Sequence, residues 1–490
     1  MAIVIMSDGL NTNLKFDLSF LRRRPLEFVI GDDLDYLSIF YVALQNSEHA
    51  YLFESLALPR HQDRYFSFGF DPFVVFKGKG NTFTISGAEK NISQITCDSY
   101  GDSNLPGSRF FTGVNPYEYL KKVGPLDFRS KTHEGGLIGY FSYEAVNYFE
   151  SSLNLTEHPD FDTFNLGLYV DGLIYDNLTG RLTYYTYDLD RRSAVYELVE
   201  SSKNFTVSDR LEGVVDLGPT SSEDVHRDVV NNTLEEIRAG NTFQCEVGFK
   251  NKYILKGNKV VLYNQLRKIN PGPYMFYLKC GEQVLFGSSP EILISCVSGQ
   301  ILTTPLAGTI VRGDTEEEDR VLARTLLCDE KEIAEHNMLV DLHRNDLARV
   351  SRVGSVRVAN LMYVIKFSHV QHIISDIVGE LTESCTVFDV LAAILPGGVV
   401  SGAPKIETIK IIDRNESEPR GPYGGAVGRF SFNGDGVFCL PIRSIFCNGD
   451  RCYAQTSSGI VYDSVAAKEY QEICNKLKAM ARAIDSVSPE

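Results

Sequence analysis

At 490 residues with 43% hydrophobic content, the chain is long enough for two or more domains with sizeable cores, which excludes a disordered scaffold. Lys plus Arg number 48 against 64 Asp plus Glu, and the net charge of −16 argues against nucleic acid or an anionic membrane as the main partner. The ten cysteines are scattered without Cys-x-x-Cys or zinc-finger spacing and are read as reduced thiols of a cytoplasmic protein.

The opening Met1 to Met6 is apolar, but too short and without the basic flank of a signal peptide, and no run of about 18 uninterrupted apolar residues follows. From roughly Phe28 to Thr206, short runs rich in Phe, Tyr, Val and Ile are broken by Gly, Asn and Asp, which predicts antiparallel strands. The clearest is Gly135 to Glu144, a strand entered through a glycine pair and expected to pack closely on another backbone.

The polar stretch Gly218 to Asp224 precedes a helix with apolar positions Val225, Val229, Leu234 and Ile237 that stops near Gly240. It divides the chain into 1–217 and 218–490, or is a surface connection inside one interleaved fold, since strands lie on both sides. Beyond it, strands are predicted at Tyr253–Leu255, Gln283–Gly287, Glu291–Cys296 and Gln300–Thr304, with Val297-Ser298-Gly299 as a turn. Asn433-Gly434 and Asn448-Gly449 are hairpin signals, and helices are expected near 386–395 and 466–484. The fold class is α+β with large antiparallel sheets.

Between these elements lies Leu327 to Asp346, a helical run that turns apolar from Ile333 to Leu342 yet carries Glu332 and Glu335 on one face. A lone Glu-x-x-Glu is usually a solvated helix face. Here His336 and Leu339 share the arc, which turns the carboxylates inward. Buried like charges repel unless a cation separates them or one takes a proton, and a hard ion such as Mg²⁺ is the usual solution. The final helix repeats the pattern with Glu469 and Glu472, and Lys476 four residues on makes either a surface pair with Glu472 or part of an inward cluster.

Arg443, among strand residues, suits a bidentate contact to a carboxylate. Tyr423 with Gly421, Gly424, Gly425 and Gly428 suits close backbone approach to a small ligand. His372 is the best candidate base, although a lone His is more often structural.

The strings Pro305-Leu306-Ala307-Gly308-Thr309, Asp329-Glu330-Lys331-Glu332, Ala334-Glu335-His336, Ser401-Gly402-Ala403-Pro404-Lys405 and Gly425-Ala426-Val427-Gly428 together resemble the chorismate-utilising enzymes, most closely their anthranilate-forming branch. The resemblance implies a two-layered α/β sandwich with a buried chorismate site. It implies that Glu335 and Glu472 bind Mg²⁺ directly, with Glu332 and Glu469 supporting through water. Glu291 is then the acid for the departing 4-hydroxyl and His372 assists pyruvate elimination. Thr309 lines the ring pocket, while Arg443, Lys476, Tyr423 and the backbone near Gly459 hold carboxylates.

Water-adding isochorismate and salicylate synthases carry a lysine base where Gln244 stands, so the resemblance implies ammonia as nucleophile. Aminodeoxychorismate synthases typically carry a lysine where Ala307 stands, which favours amination at ring C2 and loss of pyruvate, the first step of tryptophan biosynthesis. No Gly-x-Cys-x-Gly glutaminase string occurs, so a separate glutamine amidotransferase subunit is implied. Leu52-Phe53-Glu54-Ser55 resembles the Leu-Leu-Glu-Ser string that binds feedback tryptophan, and Pro273, Tyr274 and Met275 would complete that pocket.

Several positions depart from the pattern. Val399 replaces the usual Thr of anthranilate synthases, Thr456-Ser457-Ser458-Gly459 replaces Ala-Gly-Ala-Gly, and Arg429 replaces an aromatic near the inhibitor pocket. Pro396-Gly397-Gly398 leans toward the aminodeoxychorismate relatives. The alternatives are therefore an aminodeoxychorismate synthase component, or a non-catalytic relative that senses tryptophan or docks the amidotransferase.

Overall fold

The strand-rich sequence folds into antiparallel sheets of 13 and 12 strands, with a two-stranded ribbon beside them, among the described residues of a computed structural model. Those residues are 15–22, 24–56, 64–97, 103–123, 135–188, 190–367 and 370–489. The opening Met1 to Met6, and Ser368 and His369 beside the candidate base, lie outside them.

Strand Gly136–Phe141 is buried at every position, between strands Phe164–Tyr169 and Ala426–Ser431. Cover on both faces accounts for its continuous apolar character, where a half-exposed strand would alternate. The expected close approach is present at Gly136, where a Cβ would lie 2.0 Å from the Phe430 carbonyl oxygen.

Tyr51, Phe276 and Phe446 of the 12-stranded sheet meet Ile138, Tyr140 and Val427 of the 13-stranded sheet in one apolar cluster, so the two sheets face each other. Helices cover the outer faces. Val387–Ile394 packs on the larger sheet, while Tyr36–Asn46, Val260–Ile269 and Ala466–Ser486 pack on the smaller. This is an α+β sandwich of the expected class.

Both sheets draw strands from either side of position 217. His49–Glu54 pairs with Tyr274–Cys280 in one, and Gly136–Phe141 with Ala426–Ser431 in the other.

The turn at Ser298 and Gly299 joins strands Ile292–Val297 and Gln300–Thr303, both turn residues having positive φ as a two-residue hairpin requires. Asn433-Gly434 and Asn448-Gly449 likewise fall between paired strands. The strand expected at 253–255 is the end of a longer one, Gln244–Lys256. The amino-terminal region, expected to be dominated by strands, also holds helices Tyr36–Asn46 and Arg192–Ser202. Seven cysteines are free among the described residues, but Cys447 and Cys452, brought opposite each other by the hairpin register, form a disulfide, which corrects the expectation of thiols throughout. Among the described residues no helix is long and apolar enough to cross a membrane.

Candidate active site

One end of the gap between the sheets is lined by helix Glu330–Ala348 from one side and by strands Gln244–Lys256 and Arg451–Ile460 from the other. The helix starts at Asp329, whose side chain accepts from the Lys331 and Glu332 amides at 3.0 and 3.1 Å, which fixes the first turn bearing Glu332. It packs on strands Leu306–Val311 and Val370–Glu380, which carry Thr309 and His372.

Gln244 joins the two sides. Its Nε2 donates to Glu335 Oε1 at 2.9 Å and lies 3.4 Å from Glu246 Oε1. Glu246 is 7% exposed, and its Oε2 accepts from Ser457 Oγ at 2.6 Å. Tyr423 in turn donates to Ser457 Oγ at 3.1 Å. Burial is the main force pushing the Glu246 carboxyl up to about 7; Lys476 and Ser457 oppose it, and Glu335 and Glu472 add to it.

Lys476 donates to the Ser457 carbonyl at 2.9 Å and pairs with Glu472 at 2.7 Å. Burial pulls its ammonium down, but Glu472 and Glu246 together outweigh that and hold it protonated. Arg443 donates to the Lys476 carbonyl at 3.3 Å and has φ of 54°, a left-handed backbone that a non-glycine residue keeps only when its surroundings impose it. Burial lowers its guanidinium from the usual value, against Tyr423 and Glu472. Two cationic side chains and a phenol thus converge on one pocket.

His372 Nδ1 donates to the Gly308 carbonyl at 3.0 Å, with Thr309 Oγ1 also 3.0 Å from it. Burial lowers the imidazole to about 4, with Arg443 and Lys476 acting in the same direction, so it is neutral at physiological pH. A protonated Nδ1 leaves the lone pair on Nε2, the tautomer a general base needs. Glu291 is 3% exposed and its Oε2 has no hydrogen-bond partner among the described residues. Burial, then Glu246, holds its carboxyl well above the usual range, against a backbone hydrogen bond from Leu306. That shift favours the protonated form, in which the carboxyl can donate.

The four helix carboxylates sense one another across the gap. Glu332 is raised by burial, then by Glu335, with Glu472 also contributing; Glu469 is raised by burial and by Glu472, against Ser464. Glu469 is buried, whereas the Glu472 side chain is 50% exposed and turned to Lys476, the surface-pair geometry at the mouth of the site. Among the described residues no three Asp, Glu, His or Cys side chains converge to metal-ligating distance. The donor set nevertheless fits a hard divalent cation, being all oxygen and carrying like charge that Lys331 and Lys476 only partly offset.

Glu54 and Met275 are directly paired across strands, and the Leu56 amide donates to the Gly272 carbonyl at 2.9 Å, so residues 54–56 and 272–275 adjoin. The Glu54 carboxylate, however, is already bound by Tyr36 OH at 2.6 Å, Tyr263 OH at 2.5 Å and Arg267 through both Nε and Nη2. Val399 packs against the core of the larger sheet, and Ser458, paired with Val247, occupies the opposite face of its strand from Ser457. Ser457 enters the pocket through its side chain, whereas Ser458 lies beside Glu469, whose carboxyl it lowers. Arg429 is held below its usual value by burial, with Tyr51 and Tyr185 opposing, and its Nε has no partner among the described residues.

The sequence reading missed Glu246. Its signal was an acid between Cys245 and Val247 of a buried run, two residues from Gln244 and thus on the same strand face.

Residues 71–482 match the family described as chorismate binding enzyme. The chain belongs to that family. Among curated members it is 40% identical to "Anthranilate synthase component 1" of Leptospira biflexa over 93% of this chain and 95% of the relative. It is also 34% identical to "Aminodeoxychorismate synthase component 1" of Bacillus subtilis strain 168, over 95% and 98% of the two chains. The solved anthranilate synthase component I from Streptococcus pneumoniae TIGR4 superposes with a TM-score of 0.73 at 29% identity, covering 86% of this chain and 92% of that one. The chorismate-binding enzyme fold is therefore the frame on which these side chains are mounted.

Proposed function

We propose that this chain is the chorismate-converting component of an anthranilate synthase, turning chorismate and ammonia into anthranilate and pyruvate at the first step of tryptophan biosynthesis. The observation that carries the reading is the Gln244 amide bridging to Glu335 at 2.9 Å, where the water-adding branch has a lysine base. An amide there cannot activate water by taking its proton, and ammonia needs no such activation.

The residues divide the work. Arg443, Lys476, Tyr423 and the Gly459 backbone hold the substrate carboxylates, with Thr309 beside the ring. Glu291, kept protonated by burial, gives its proton to the C4 hydroxyl as it departs. The nitrogen adds at C2 as the ring double bond shifts, and His372 Nε2 takes the C2 proton when pyruvate is eliminated. Glu335 and Glu472 would hold Mg²⁺ directly and Glu332 and Glu469 through its waters; the bound ion would neutralise substrate carboxylate.

Ammonia would come from glutamine through a separate amidotransferase subunit. Residues 218–490 carry the chemistry, while 1–217 contribute Glu54 and Ser55 to a tryptophan effector site completed by Pro273, Tyr274 and Met275. With the Glu54 carboxylate already committed to Tyr36, Tyr263 and Arg267, Ser55 and the neighbouring backbone do the recognising.

The purified chain incubated with chorismate, Mg²⁺ and ammonium at alkaline pH should produce anthranilate fluorescence. Formation of 4-amino-4-deoxychorismate instead would assign it to the branch of the Bacillus relative, and isochorismate would assign it to the water-adding branch. Tryptophan binding without turnover would make it a sensor.

A further inference from the structure

Roles assigned to the family's motifs leave one group in the pocket unused. Gln244 and Glu246, two apart on strand Gln244–Lys256, present side chains to the same face. Register pairs Glu246 with Gly459 and Gly248 with Ser457, which sets Ser457 and Gly459 across from them. Gly459 has to be glycine for this packing, since a Cβ there would lie 2.5 Å from Gln244 Nε2 and 2.7 Å from Glu246 Oε1.

The orientation of the Gln244 amide is dictated by its neighbours. Carboxylate oxygens of Glu335 and Glu246 lie at 2.9 and 3.4 Å from its nitrogen, and only the NH₂ end has hydrogens to offer them. Its Oε1 is therefore turned away, and in a residue 2% exposed it has no hydrogen-bond partner among the described residues. A buried acceptor left in that state carries the full desolvation penalty of the group, which a ligand bringing a donor recovers. Glu246 is aimed beside it by the Ser457 hydroxyl at 2.6 Å, itself held by Tyr423.

This spot is rich in lone pairs, and its nearest cation, Lys476, is already bound to the Ser457 carbonyl and to Glu472. A substrate carboxylate set against Glu246 itself, rather than against Lys476 and the Gly459 backbone beside it, would add a further anion next to Glu335, a repulsive arrangement. A small neutral ligand with several N–H groups is what such a surface recognises, and ammonia brings three. We propose that Glu246, aimed by Ser457 and flanked by Gln244 Oε1, is a nucleophile-binding residue that accepts N–H hydrogen bonds from incoming ammonia and turns its lone pair toward the ring. The proposal rests on the anthranilate synthase reading and adds to it a residue and a subsite.

The test is steady-state kinetics of the full chain with Mg²⁺, titrating ammonium at saturating chorismate and chorismate at saturating ammonium. Glu246→Gln keeps the shape and a partner for Ser457 but removes the charged acceptor, so KM for ammonium should rise about tenfold while KM for chorismate stays within about twofold. Ser457→Ala, which releases Glu246 without altering it, should raise KM for ammonium about threefold, and it carries the test should E246Q fail to fold. An ammonium KM unmoved in the variants, or a chorismate KM rising in step with it, overturns the subsite. Wild-type chain that consumes chorismate without dependence on ammonium overturns the functional reading and the subsite together. Ammonium-dependent wild type with an unmoved variant overturns the subsite alone.

Discussion

Gln244 Nε2 donates to Glu335 Oε1 at 2.9 Å, a hydrogen bond that ties the strand of the smaller sheet to the carboxylate helix packed on the larger. Replacing the amide by an ammonium at this point, in Gln244→Lys, sets a titratable base between two carboxylates. Amination of chorismate should fall by about a hundredfold, the lower range for a misplaced acid–base group, and isochorismate should appear by chromatography.

Charge on Glu335 and on Glu472 raises the carboxyls of both Glu332 and Glu246. Glu335→Gln and Glu472→Gln should each raise the Mg²⁺ concentration needed for half-maximal activity by at least about tenfold, as loss of a coordinating group does. Calorimetric titration of Mg²⁺ provides the independent measurement. Full activity of both variants at ordinary Mg²⁺ would remove their role as ligands.

For His372 the lowered value, about 4 against 6.5, predicts where elimination fails in acid. The neutral imidazole is the working form, so a depressed value keeps it working down to about pH 4 to 5, where an unperturbed histidine would already be lost near 6.5. Pyruvate release followed across that window should show the late fall in wild type. His372→Gln should lower kcat by about 10²- to 10⁴-fold at all pH values.

Glu54 is buried and bound by Arg267, Tyr36 and Tyr263 in a largely buried network. Glu54→Ala leaves the Arg267 charge and two phenols without their acceptor, and removal of one member of such a buried pair costs about 3–5 kcal/mol. Thermal unfolding should register this as a clear drop in Tm whether or not tryptophan is present.

His226 is buried against Phe249 and Tyr470, and burial lowers its imidazole from 6.5 to about 4. Between these values the unfolded chain binds a proton that the folded chain refuses, so stability rises with pH across the window. His226→Phe removes the difference. Relative to the variant, wild type should lose roughly 3 kcal/mol as pH falls from 6.5 to 4 and no more below it, a trend that denaturant titrations at several pH values would display.

How much of this was readable beforehand depended on whether the residues carried a local pattern. The two carboxylate helices announced themselves because Glu332 with Glu335, and Glu469 with Glu472, sit at i, i+3 beside an apolar stripe. Glu246 has no such companion in sequence, and its significance comes from Ser457, which meets it only through strand register. Helix Tyr36–Asn46 is hidden within the strand-dominated region because its aromatic and branched residues are buried nearly all round, leaving no helical period to detect. Its cue was Asp35, whose side chain accepts from the Leu37 and Ser38 amides. Inward placement of Glu472 could not be judged from spacing alone, since the pair with Lys476 satisfies the helix surface equally well.

Strand Gly136–Phe141 sits hydrogen-bonded between Phe164–Tyr169 and Ala426–Ser431. Its neighbours are thus a near one and one almost three hundred positions away, and His49–Glu54 likewise pairs with Tyr274–Cys280, more than two hundred positions on. A ribosome must therefore finish nearly the whole polypeptide before either sheet can close, and the nascent first half has to wait with its ladder edges unpaired. Shielding those edges during synthesis is a demand that the connectivity itself places on the cell making this protein.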